Sequence, residues 1–358
     1  MAKKRRINIG ISCGDLSGIG IELILKTFSD SRMSEMCVPV IYVPETAFEA
    51  HKKVLNFKDF HYHKTDSAQN LNRKKINLVS TEGGGNQIEF GTPTPDSGKA
   101  AFKSLEAAVQ DLAATHIDVL VTAPIHKENI QAAGFKFPGH TEYLASFANE
   151  ENPLMVLMRD ELRVGVVTGH IPLKEVSATI TKELIVSKIS KMHNALHKDF
   201  ACTQPKIAVL GLNPHAGENG VIGNEETEVI IPAIEEAKKQ NMYAFGPFPA
   251  DGFFGSGAHR KYDGVLAMYH DQGLAPFKAL SFGGGVNFTA GLPVVRTSPD
   301  HGTAFDIAGR GIADENSFRA AVYAAIDIHS NRTLYKEVSE NKLESAPPEN
   351  HRRKERND

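Results

Sequence analysis

Three strand-like runs of this sequence end in histidine. "RVGVVTGH" closes on His170, "KIAVLGLNPH" on His215 and "YDGVLAMYH" on His270. Neutral imidazole is the commonest metal ligand near pH 7. Three imidazoles with positions left open describe a catalytic site for zinc or a similar divalent ion. The chain has 15 histidines, so one after a strand is chance. Three, each in a turn shaped by Gly or Pro, point to a metal.

A second set of residues suits anions. "FPGHTEYLA" places His140, Thr141 and Glu142 at the start of a helical pattern, where backbone N–H groups and the helix dipole favour a phosphate or carboxylate. A Thr N-cap explains the same stretch equally well. Lys278, Asn287 and Arg296 follow His270 within 26 positions. A lysine point charge with an arginine fork fits a small phosphorylated substrate. "GLNPHAGENGVIGNEE" (211–226) is dense in Gly and Asn, as a loop that shapes a pocket is. "GDLSGIGIE" (14–22) is read as a tight strand-to-helix turn. Its glycines do not fit G-x-G-x-x-G, so a Rossmann site is rejected there.

The elements that must carry these residues read as short apolar runs alternating with helical patterns. The runs lie at 6–14, 38–43, 76–80, 117–124, 154–160, 163–170, 206–215 and 262–270. Helical spacing marks 96–116, with Asp96 and Ser97 as expected caps, then 181–200, and 225–240 with a kink expected at Pro232. Strand, loop and helix in repetition predict an α/β protein with largely parallel sheets, whose ligands gather at the carboxyl ends of strands.

At 358 residues the chain is long enough for two domains. A net charge of −3 gives no electrostatic case for nucleic acid, and the basic runs at the two ends read as solvated tails. No run is apolar and long enough to cross a bilayer, and no signal peptide is seen. Three scattered cysteines, Cys13, Cys37 and Cys202, suggest a reducing, cytoplasmic setting.

"TAPIHKE", "FPGHTEYLA", "LNPHAGENGVIGNEE", "GPFPADGFF", "YDGVLAMYHDQGLAPFK" and "GLPVVRTSPDHGTAFDIAG" occur in one order between residues 7 and 325. In that order they resemble the 4-hydroxythreonine-4-phosphate dehydrogenase family of pyridoxal phosphate biosynthesis. "HGTAFDIAGRGIAD" (301–314) is more distantly similar to the NAD-binding loop of isopropylmalate and isocitrate dehydrogenases.

The resemblance implies two α/β/α domains with a cleft between them, isocitrate/isopropylmalate dehydrogenase-like and not Rossmann. The first comprises 1–137 plus 286–340, the second 138–285, and 341–358 is expected to be a disordered tail. It implies metal ligands at His170, His215 and His270, supplied by both subunits of a homodimer, with one divalent ion per subunit: zinc, cobalt, nickel, manganese or magnesium. Substrate contacts fall on His140, Thr141, Lys278, Asn287 and Arg296, with Lys278 and His140 as catalytic candidates. NAD or NADP would lie against His301, Gly302, Thr303, Asp306 and Ile307. The implied reaction oxidises 4-phosphohydroxy-L-threonine to a β-keto acid that loses CO₂. Threonate or erythronate 4-phosphate is the nearest alternative substrate. Leu16, Ile21, His126 and Pro299 depart from the family's usual residues, and none of them is a ligand. A metal-dependent hydrolase or aldolase, or a non-catalytic two-domain binding protein, is the competing reading; the 301–314 loop argues against the first and a three-histidine ion site against the second.

Overall fold

The apolar runs become strands of one 12-stranded sheet in the computed structural model, which describes residues 5–83 and 88–340. The segment expected to be a disordered tail, 341–358, lies outside the described residues. In chain order the strands are β1 (Ile7–Ser12), β2 (Cys37–Val43), β3 (His63–Thr65), β4 (Asn77–Ser80), β5 (Val119–Thr122), β6 (Leu154–Arg159), β7 (Leu162–Val166), β8 (Lys206–Leu210), β9 (Tyr243–Phe248), β10 (Gly264–Ala267), β11 (Val286–Ala290) and β12 (Arg296–Pro299). Their order across the sheet is β3-β4-β2-β1-β5-β12-β11-β6-β7-β10-β8-β9.

Eight of the eleven pairings are parallel, as the strand–helix alternation predicts. The three antiparallel ones join β12 to β11, β11 to β6 and β6 to β7. They sit in the middle, where the chain returns from 286 to 299 to finish the half begun by β1–β5. The strands of the other half, β7, β10, β8 and β9, therefore run opposite to β1–β5 and β12.

Side chains alternate across each strand, and the cores follow that alternation. Ile41, Val43, Val119, Val121, Val156, Val209 and Leu266 face one side, against the helices Gly20–Ser29 and Asn316–Glu340 in one half and Lys182–Lys198 in the other, and form one apolar cluster along the sheet. Their neighbours face the other side and split into two clusters. Val40, Tyr42 and Leu120 pack with the helix Pro95–Ala113. Leu157, Val164, Ala208, Leu210 and Val265 pack with Phe253 and Phe277. Between those two clusters the same face is polar: Thr122 on β5, Arg296 and Ser298 on β12, Asn287 on β11. The cleft is a gap in the hydrophobic pattern of three adjacent strands.

Helix termini show where local sequence was misread. The helix Pro95–Ala113 is capped by Thr94, whose Oγ1 accepts from the Ser97 N–H, while Ser97 Oγ accepts from the Thr94 N–H. Asp96 and Ser97, the expected caps, lie inside this capping box because Pro95 takes the first helical position. Near Pro232 the chain forms a π-turn at Glu226–Ile230 before the α-helix Ile231–Lys239, so the expected kink is a change of helix type. Among the described residues no helix is long and apolar enough to cross a membrane, and the three cysteines are free.

The turn after β1 is packed without slack. Gly14 has φ +69°, and a Cβ there would sit 2.3 Å from the Pro124 carbonyl oxygen; one on Gly18 would sit 2.8 Å from that of Thr303. These glycines serve backbone contact. His51 braces the same turn, with Nε2 2.9 Å from the Leu16 carbonyl oxygen and its ring edge-on to Phe90. Burial lowers the pKa of His51 from 6.5 to about 4, with the Leu16 hydrogen bond opposing. The unfolded ring takes up a proton below about pH 6.5 and the folded ring only near pH 4. Between those values the unfolded state binds more protons, so this contribution, of order 3 kcal/mol, is present above pH 6.5 and lost as pH falls toward 4. Urea midpoints measured from pH 7 to pH 4 are expected to fall steeply, and His51→Leu should flatten that dependence while lowering stability at pH 7.

Candidate active site

The floor of the cleft is built from alternate residues of the four central strands. Its walls come from the helix His140–Phe147, the helix His270–Ser281 and the segment after β12. Together they enclose a cavity of about 280 Å³. Of the residues expected at a substrate site, His140, Thr141, Lys278, Asn287 and Arg296 all line it, and so do His170 and His270. His301 and Gly302 line it as well. Thr303, Asp306 and Ile307 do not line it. Thr303 gives its carbonyl to the Ile19 N–H, and the Ile307 side chain packs on the main core.

Arg296 dominates the electrostatics. It is 3 % exposed, and its Nε and Nη2 donate to Thr122 Oγ1 at 3.0 and 2.5 Å. Among the described residues no carboxylate lies within ion-pair distance of it. Burial lowers its pKa to about 10, with Glu142 opposing, so it stays a cation at neutral pH. A buried cation held only by a hydroxyl is costly unless an anion joins it. Thr122→Val keeps the volume and removes the acceptor that aims the fork. A hydrogen bond to a charged group is worth about 1.5–3 kcal/mol, so steady-state kinetics should show kcat/KM lower by roughly tenfold or more.

Around Arg296 stand groups without protein partners. His140 Nε2 and Asn287 Oδ1 are sealed from solvent and make no hydrogen bond. Burial, then Arg296 and Lys127, push the His140 pKa well below 6.5, so its ring is neutral. The helix His140–Phe147 has Gly139 as N-cap and no side-chain cap. Thr141 is not the cap; its Oγ1 lies 3.3 Å from Thr289 Oγ1. The first N–H groups of that helix thus have no side-chain cap, although the Glu142 carboxylate lies in the same first turn.

β7, β10 and β8 are adjacent and parallel, so their carboxyl ends bring the three histidine turns to one edge of the sheet. The rings of His170 and His270 lie 5.5 Å apart. His270 Nδ1 is 2.7 Å from Asp271 Oδ1, which leaves Nε2 free. Burial leads the lowering of the His170 pKa, so this ring is held neutral as a ligand must be. His215 does not join them. It is exposed, at φ +53°, in a left-handed run through Asn219, and it does not line the cavity. Among the described residues of one chain, no three His, Cys, Asp or Glu side chains converge as a metal site would need. Two imidazoles fit a divalent ion and leave the set one donor short.

Comparison with known proteins decides the family. The model of "Pyridoxal phosphate biosynthetic protein PdxA" matches residues 35–325. The chain belongs to the PdxA family. A 4-hydroxythreonine-4-phosphate dehydrogenase from Bacteroides thetaiotaomicron is 50 % identical over 343 residues, covering 95 % of this chain and 94 % of that one. A relative from Oceanobacillus iheyensis, provisionally named a D-threonate 4-phosphate dehydrogenase, is 40 % identical over 323 residues, covering 89 % and 97 %. The crystal structure of 4-hydroxythreonine-4-phosphate dehydrogenase from Klebsiella pneumoniae superposes with a TM-score of 0.77 at 33 % identity, covering 91 % of this chain and 100 % of that one.

Within this PdxA cavity, sequence reading passed over Thr122, Lys127, Ser298 and Asp300, all of which line it. Lys127 sits in the "TAPIHKE" motif, five residues beyond β5. That placement was the available signal. Gln272 was missed as a brace: its Oε1 accepts from the Met268 N–H at 2.7 Å and its Nε2 donates to the Gly211 carbonyl at 2.6 Å, tying the end of β10 to the end of β8.

Proposed function

We propose that this chain oxidises 4-phosphohydroxy-L-threonine to 2-amino-3-oxo-4-phosphooxybutanoate, which loses CO₂ to give 3-amino-2-oxopropyl phosphate. The observation that carries this reading is Arg296, a buried cation without a carboxylate, turned toward a small cavity with polar groups awaiting partners. Such a site suits a compact substrate that is anionic at both ends.

Arg296, Asn287, His140, Thr141 and the uncapped helix N-terminus orient the phosphate and carboxylate. Lys278 and Lys127, both in the lining, add cations. His170 and His270, with His215 from a second copy of the chain, would hold a divalent ion, which when bound stabilises the oxygen of the reacting hydroxyl. His215 is presented for such an exchange in a loop where Val221 is 79 % exposed. The segment from His301 to Ile307 would hold NAD or NADP, which when bound accepts the hydride. His301 Nε2 is buried without a partner, and a Cβ on Gly302 would meet nothing within 4 Å, so this edge has a donor or acceptor and room for a ligand. The neutral His140 ring can donate or accept a hydrogen bond at its unpartnered Nε2, and Lys278 can hold or pass a proton. Loss of CO₂ from the product needs little from the protein, because the new ketone accepts the electron pair released as the carbon–carbon bond breaks.

The Oceanobacillus relative supplies a second reading, a dehydrogenase of threonate 4-phosphate, which has a hydroxyl where the first substrate has an amine. A panel of both substrates with NAD and NADP, read by reduced-nicotinamide absorbance, separates the two. Faster turnover of the amino acid supports the proposal. No reduced nicotinamide with either would reject a dehydrogenase.

A further inference from the structure

We propose that the cavity at the amino ends of β7, β8 and β10 is a second ligand site, which takes a small molecule carrying a flat ring and a phosphate. It lies across the sheet from the histidine edge and does not rest on the reaction proposed above. Its volume is about 990 Å³. Arg159, Arg163, Lys206, Arg260 and Lys261 line it against three carboxylates. Asp263 Oδ2 already accepts from the Lys206 N–H at 2.7 Å. The one ion pair among these cations joins Arg159 to Asp160 at 3.7 Å, and that aspartate is 89 % exposed. The other four have no carboxylate within ion-pair distance among the described residues. The surplus of cations favours an anion, and the arginine forks favour phosphate. The carboxyl end of the helix His270–Ser281 opposes this, but only as a partial charge.

The apolar walls ask for a ring. Phe200 lies under the Arg163 guanidinium at 4.6 Å, and Arg163 Nη1 is fixed by the Asp263 carbonyl. Tyr262 belongs to the same lining. Phe282 closes the helix at φ +43° with 86 % of its surface exposed. A non-glycine residue in the left-handed region and a phenyl group in water are each unfavourable. A ligand ring laid on Phe282 would remove that apolar surface from water and stack as aromatic pairs do.

Pyridoxine 5′-phosphate is a suitable probe, since it has the ring and the phosphate but no aldehyde to react with lysines. Calorimetric titration of the full chain should show saturable binding. The double variant Arg159→Ala, Arg260→Ala should weaken it by about tenfold or more, and Phe282→Ala should weaken it by a few-fold. Arg296→Ala should leave it within about twofold, because that residue belongs to the other cavity. Circular dichroism checks that each variant is folded; Lys261→Ala replaces a cation variant of this site that is not, and Arg296→Met replaces Arg296→Ala. No binding at millimolar probe, equal binding by the double variant, or loss of binding in Arg296→Ala would each overturn the proposal.

Discussion

Replacing Arg296 by Met should lower kcat/KM for the phosphorylated substrate by roughly a thousandfold, with most of the loss in KM. Truncating one member of a buried, hydrogen-bonded charge pair costs about 2–5 kcal/mol, and about 4 kcal/mol is a thousandfold. The free protein should respond differently. Arg296 is buried with only Thr122 Oγ1 as acceptor, so removing it relieves an uncompensated charge while methionine fills the space. The thermal midpoint should hold steady or rise. A residue kept for structure would show the reverse, with a lower midpoint and equal losses for substrate and nicotinamide. Steady-state kinetics with each reactant varied, beside a melting curve, tests both halves of the expectation.

His270→Ala carries the second large effect. Its ring faces His170 at 5.5 Å and keeps Nε2 free through Asp271. If the two imidazoles hold a divalent ion, losing one should lower kcat by about a thousandfold, since such an ion supplies several kcal/mol of charge stabilisation. Bound metal measured on the purified protein should fall in parallel. Asp271→Asn should act more mildly, about 10–100-fold in metal affinity, because it disturbs only the group that orients the ring. Normal activity in metal-depleted protein would refute the assignment.

Much of the scaffold is written locally. Runs such as Val40–Val43 and Ile207–Leu210 alternate between two apolar clusters, so both faces are covered and the runs read as strands. β3 and β9 are harder to read, since His63–Thr65 is three residues long at one edge and Tyr243–Phe248 carries Gly246 and Pro247 at the other. β12 reads poorly because Arg296 and Ser298 are polar for the cleft's sake. The histidine turns were visible because β7, β8 and β10 share a direction, which makes the same edge recur in the sequence. What the sequence could not show is spacing across the sheet. That His170 and His270 meet, while His215 stands apart, follows from the strand order β7-β10-β8 and from the left-handed run after Pro214. Lys127 and Thr122 escaped notice because each looks ordinary until β12 is laid beside β5 and Arg296 reaches Thr122.

One metal site is expected to be completed by two copies of the chain. His215→Ala and His270→Ala should each be inactive alone. Co-refolded in equal amounts, they should recover about one quarter of wild-type activity: half of the dimers formed at random are mixed, and each mixed dimer holds one intact site of two. Activity no higher than that of either variant alone, in a sample shown to contain mixed dimers, would contradict it.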